Sequence, residues 1–153
     1  MSPKSRRSAG ILLVIFPTAI FGGVSLLRML IDDPAYQANE LRQDLWRAGH
    51  AHAGVLLVLS LVTLRYVDET NLAERWREFV RAAIPSAAIL LPAAFFLSVL
   101  SPDATEPNFL INLAYLGAVL LVAGLITLGV GLLRGGSGDT VRERPTTAVA
   151  DGD

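Results

Sequence analysis

Four stretches of the chain are apolar for about twenty residues at a time, and polar residues gather between them rather than recurring within them. This pattern predicts helices over about 9–31, 48–66, 79–100 and 108–133. The hydrocarbon core of a bilayer is about 30 Å thick and a helix rises about 1.5 Å per residue, so roughly 20 apolar residues span it. In lipid the backbone must satisfy its own hydrogen bonds, which leaves helix as the conformation open to such segments. A water-soluble bundle would carry a polar stripe every three or four residues, and these windows carry almost none. The expected fold class is therefore all-α, an integral membrane bundle of four transmembrane helices forming one unit over 1–134.

The connecting segments follow from their turn and charge content. Asp32 to Arg47 reads as an acidic loop with a turn at Asp33-Pro34 and a short interfacial helix from Gln37 to Trp46. Pro17, Pro85 and Pro92 fall inside the first and third predicted helices, where kinks would open a cavity against the second. From Gly135 onward, Gly-Gly-Ser-Gly-Asp followed by Arg, Glu, Pro and Thr predicts a disordered tail over 135–153. The first window follows Lys4, Arg6 and Arg7 as a signal peptide would. It runs on through Phe21 to Leu27 without a convincing cleavage site, which predicts an uncleaved first helix.

Charge then gives a direction. Of the 13 Lys and Arg residues, Lys4, Arg6, Arg7, Arg65, Arg75, Arg77, Arg81, Arg134, Arg142 and Arg144 fall on one side of the predicted spans, against Arg28, Arg42 and Arg47 on the other. The positive-inside bias puts the first group, and with it both termini, in the cytoplasm. Trp46 then sits at the outer headgroup level and Trp76 at the inner. Composition agrees with this picture, with 52% hydrophobic and 18% charged residues in a chain of 153. A net charge of -1 gives no footing for nucleic acid, and the absence of cysteine removes disulfides, thiolate-held metals and cysteine nucleophiles. No phosphate-cradling glycine loop and no Ser-His-Asp set is present, and the midplane lacks the charges a pump or channel requires.

Most polar groups within the windows are Ser and Thr, whose hydroxyls bond to the preceding turn of their own helix at little cost. The two histidines of the chain are different. His50 and His52 lie in Ala48-Gly49-His50-Ala51-His52-Ala53-Gly54 at the outer start of the second span. An ionisable group there is a candidate functional site, and imidazole is a ready ligand for zinc, copper and haem iron. The bland alternative is two solvated rings at the headgroup boundary, about one turn from Trp46. Residues two apart on a helix point about 200° apart, so both rings cannot grip one ion, and no cluster of further ligands completes a zinc site. Haem needs only one or two axial ligands, so if a metal is bound, ligation of haem by a single histidine is the cheapest arrangement this sequence can make. The small residues Gly49, Ala53 and Gly54 permit close approach by a flat ring or by another helix.

The run Gly10-Ile11-Leu12-Leu13-Val14-Ile15-Phe16 with Thr18, Phe21 and Gly22, then Trp46 before Ala51-His52-Ala53-Gly54, then Leu100-Ser101-Pro102 with Pro107-Asn108, resembles the small bacterial membrane isomerases that include styrene oxide isomerase and hydroxylaminobenzene mutase. The resemblance covers about Gly10 to Arg134 and its motifs are short. It implies a multi-pass protein of the bacterial inner membrane, a homotrimer, and haem b held by a second-helix histidine near a subunit boundary. The matching position is His52, with His50, Gly49, Gly54 and Trp46 around the cofactor; His50 has no clear counterpart in the motif. The implied chemistry is isomerisation of a small apolar epoxide to an aldehyde, with ferric haem as a Lewis acid. The chain departs from the pattern at Val58-Leu59, where the relatives have Asn-Gly, and along Ala87 to Phe96, where they have polar residues. Tyr115 and Asn112 on the fourth span are the hydroxyl and amide that could replace them as catalytic groups. Three readings stay open: a haem-dependent isomerase, a non-catalytic haem or copper protein, and an accessory subunit of a larger membrane complex.

Overall fold

The computed structural model describes residues 1–135 and is helical throughout its regular elements. Helix α1 spans Pro3–Asp32, the single turn α2 Pro34–Gln37, α3 Glu40–Tyr66, α4 Glu74–Ser98 and α5 Leu113–Gly135, with short 3-10 turns at Val67–Glu69 and Phe109–Asn112. Four of these helices, with the turns that extend α3 and α5, are long and apolar enough to cross a membrane. The tail expected over 135–153 lies, apart from Gly135, outside the described residues.

The helices run past the apolar windows that announce them. α1 begins at Pro3, where the Ser2 hydroxyl caps the first turn by accepting from the Ser5 N–H. α3 begins at Glu40, so the separate interfacial helix expected over Gln37 to Trp46 is in fact its first turns. Asn39 fixes that start, its side chain accepting from the Arg42 N–H at 3.0 Å, with Glu40 in the first turn favoured by the helix dipole. Hydropathy reports where a helix is apolar; capping decides where it starts. The three prolines do not end their helices, since α1 continues through Pro17 and α4 through Pro85 and Pro92.

α4 is the centre of the arrangement, packing along both α3 and α5, while α1 packs chiefly on α3 and α3 barely meets α5. Small residues let α5 approach α4 and the connection before it. A Cβ on Gly117 would lie 3.0 Å from Leu91 Cγ, one on Gly124 2.9 Å from Ile84 Cγ1, and one on Gly131 2.7 Å from Leu72 Cδ1. These glycines recur every seventh residue along one face of α5, the small-residue seam on which helices pack closely. Below it, Val67, Val80, Ile84 and Leu128 form one apolar cluster, and Leu56, Ala87, Ala88 and Leu91 another. The outer faces stay apolar and uncovered, with Val14 79% and Phe109 78% exposed.

Polar groups fasten both ends of α4. At its start Arg81, 9% exposed, donates to Asp68 Oδ1 at 2.8 Å, Glu74 Oε1 at 2.9 Å and Ser5 Oγ at 3.0 Å. Ser5, fully buried, donates in turn to Asp68 Oδ1 at 3.0 Å, and the Ser2 N–H donates to the other oxygen of Asp68. This ties the chain's first turn to the α3–α4 connection. Gly135 lies beside Asn71 and the Glu69 carbonyl, so both ends of the described chain meet at the same end of the helices. At the far end of α4 the last carbonyls, left without helical partners, accept from other elements: Phe96 O from Trp46 Nε1 at 3.1 Å, Leu97 O from Asn108 Nδ2 at 3.1 Å, and Ser98 O from the Asn108 N–H at 2.9 Å.

Removing one member of a buried ion pair leaves the other uncompensated, at a cost of about 3 kcal/mol. Arg81→Leu is expected to lower stability by about that amount in detergent unfolding, and Asp68→Leu/Arg81→Leu to recover part of it. Equal stability of Arg81→Leu and the parent would contradict the role of the cluster.

Candidate functional site

The two histidines leave α3 toward different neighbours, as spacing of two on a helix requires. His52 points outward and is exposed, its ring 5.1 Å from that of Phe95 on α4. Its Nδ1 lies 2.7 Å from the Ala48 carbonyl oxygen. A carbonyl only accepts, so Nδ1 carries the proton, and in the neutral ring Nε2 keeps its lone pair. A backbone carbonyl on one ring nitrogen is a common way to orient an imidazole whose other nitrogen binds a metal.

His50 faces α1 and is half-buried. Its ring lies against the Gly22-Gly23 backbone: a Cβ on Gly23 would sit 3.0 Å from Nε2 and 3.1 Å from Cε1, and one on Gly22 3.7 Å from Nδ1. Among the described residues neither nitrogen of His50 has a protein hydrogen bond. The ring borders a cavity of about 220 Å³ between α1, α3 and α4, walled by Ile15, Ala19, Leu57, Ile89 and Phe96 with the Thr18 hydroxyl at its edge. That hydroxyl already donates to Ile15 O at 2.7 Å. His50 also borders an open groove floored by Phe16, Gly54 and Val58.

The remaining candidates divide. A Cβ on Gly49 would meet Phe96 Cε2 at 3.0 Å and Phe95 Cβ at 3.2 Å, so the missing side chain there is filled by α4. Gly54 has nothing within 4 Å and opens onto the groove beside His50. Trp46 is committed to the end of α4, its ring 5.8 Å from that of Tyr36 and 5.9 Å from that of Phe96, with the Arg42 guanidinium 4.2 Å above it. Asn112 donates to Phe109 O at 2.9 Å, and Tyr115 is 71% exposed on the outer face of α5. Within one chain neither Tyr115 nor Asn112 shares a hydrogen bond, ring contact or cavity with a histidine among the described residues. No group of three or more His, Cys, Asp or Glu side chains converges among the described residues.

Sequence reasoning did not find the Gly22-Gly23 seat of His50 or the Phe95 neighbour of His52. A glycine pair in an otherwise bulky apolar helix was the available signal for the first. Nothing in the sequence marks the second. No protein-family model, curated protein or solved structure matches the chain.

If the glycine pair exists to seat the imidazole, overpacking it costs about 2 kcal/mol. Gly23→Leu is expected to destabilise by about that amount, and His50→Ala to relieve most of it in the double variant. Strictly additive effects in that cycle would show that ring and glycine do not press on each other.

Proposed function

We propose that the chain is a four-span protein of the bacterial inner membrane, with both termini cytoplasmic, that binds haem b through His52 and isomerises a small apolar substrate. The observation that carries the reading is the His52 ring, held through Nδ1 by Ala48 O at 2.7 Å and exposing Nε2 on the outer surface of α3. The exposed apolar faces suit a lipid environment, and the clustering of cations near the paired chain ends supports the orientation.

Of the residues present, His52 would hold the group, through the ring nitrogen that Ala48 leaves unbonded. The imidazole is oriented and accessible, and Phe95 supplies an apolar ring beside it. Ferric haem bound there would supply a Lewis acid able to polarise an epoxide oxygen on the way to an aldehyde. The protein's share is to orient the ligand through Ala48 and to leave it open to a substrate dissolved in the bilayer. Because Tyr115 is exposed on α5 and Asn112 is exposed on the turn before it, they would reach the chemistry at His52 only from a neighbouring copy, as in a trimer whose sites lie at subunit boundaries.

A second reading, a non-catalytic haem protein, is favoured by the neighbourhood of His52 within one chain. There Phe95 stands beside the ring, and the α4 run Ala87 to Phe96 offers no polar side chain to handle substrate.

Protein purified in mild detergent and loaded with haem is expected to show a Soret band that His52→Ala loses and His50→Ala keeps. A colourless protein after loading would defeat both haem readings. A coloured protein that leaves aryl epoxides and arylhydroxylamines unchanged would select the non-catalytic one.

A further inference from the structure

The end of the molecule where the chain ends meet carries a cleft of about 480 Å³ that neither histidine approaches. Its floor and wall are apolar, formed by Leu72, Ile126 and Val130, while Asn71, Trp76 and Arg134 stand at its rim. Leu72 is seated directly on Gly131, so the floor is held by the α3–α4 connection packing on α5. The Arg75 guanidinium does not line the cleft but lies 5.7 Å from the ring of Trp76, which does.

The charges around the cleft are not balanced. The carboxylates of this end are occupied: Asp68 and Glu74 by Arg81, Glu74 and Glu78 also by Lys4, and Glu69 by Arg65. Arg77 is within 3.7 Å of Glu74 as well. Arg75 and Arg134 are in none of the ion pairs formed among the described residues. The cleft therefore joins an apolar trough to one guanidinium, an amide donor and an indole, with the Arg75 guanidinium beside that indole, and in the membrane reading it sits where hydrocarbon gives way to headgroups.

We propose that this cleft is a binding site for one anionic phospholipid of the cytoplasmic leaflet. An acyl chain lies along Ile126 and Val130, and the phosphate is held by Arg134 and Arg75 with Asn71 donating beside them. Basic pockets between membrane helices on the cytoplasmic side suit such headgroups, and guanidinium matches phosphate oxygens with paired donors. The inference rests on the membrane reading of the chain and is independent of haem.

The test is native mass spectrometry of the full chain released from a neutral detergent, titrated in parallel with dioleoylphosphatidylglycerol, dioleoylphosphatidylcholine and glycerol phosphate. The expected result is one saturable phosphatidylglycerol adduct, preferred over phosphatidylcholine and weakened about fivefold by Arg134→Gln and again by Arg75→Gln, but not by Arg28→Gln at the other end. Equal retention of the two lipids, or indifference to Arg134→Gln and Arg75→Gln alike, overturns the proposal. So does glycerol phosphate binding as tightly as the lipid, which would make the site one for small anions. If phosphatidylglycerol binds only after residues 136–153 are removed, the tail is the occupant and the proposal also fails. A full chain that stays monodisperse without detergent would defeat the membrane reading itself, an outcome distinct from loss of lipid selectivity.

Discussion

A long apolar helix satisfies its own middle but not its ends, and the arrangement of this protein depends on how the two ends of α4 are satisfied. At one end Arg81 gathers Asp68, Glu74 and Ser5, drawing the first turn of α1 and the end of α3 onto α4. At the other, the carbonyls of Phe96, Leu97 and Ser98 accept from Trp46 on α3 and from Asn108 before α5. Both clusters join elements far apart in sequence, and both use polar groups where hydrophobic packing alone would let helices slide. Hydrogen bonds and close small-residue packing fix the register of the long apolar helices.

The position of the histidines follows from that register. With α3 set on α4 by Gly49 against Phe95 and Phe96, His52 emerges beside Phe95 and His50 turns to the opposite side, where Gly22 and Gly23 make room for it. One imidazole is thereby oriented outward by a carbonyl, and the other is packed between helices without a protein partner for either nitrogen among the described residues. The same spacing that forbids joint chelation gives the pair two different environments. His50 is packed at the edge of an apolar cavity, and His52 is the ring that a backbone carbonyl orients, with Nε2 exposed.

The helical class and the four long apolar elements were legible in the sequence, because hydrophobic runs of this length have few alternatives. The boundaries were less so. Hydropathy began the second window at Ala48, yet Asn39 caps α3 so that it starts at Glu40, eight residues earlier. The divergence of His50 and His52 was legible from helical geometry; their neighbours were not, since a single sequence does not say which helix lies against which face. Arg42 and Arg81 illustrate the limit. Each reads as an ordinary interfacial cation, yet Arg81 organises a buried network and Arg42 is buried over Trp46, with its Nη2 reaching Leu100 O at 3.4 Å. Long-range partners of this kind are written in the tertiary arrangement.

The proposed function depends on α3 presenting His52 as an imidazole whose Nε2 is unprotonated and exposed. Nitrogen-15 NMR of the histidine-labelled protein in lipid, assigned with His50→Ala, measures this directly and without any added cofactor. The account predicts that neutral His52 is protonated at Nδ1, with a bare Nε2. A His52 ring protonated at Nε2, with Nδ1 bare, would contradict the bond to Ala48 and remove the basis for ligation.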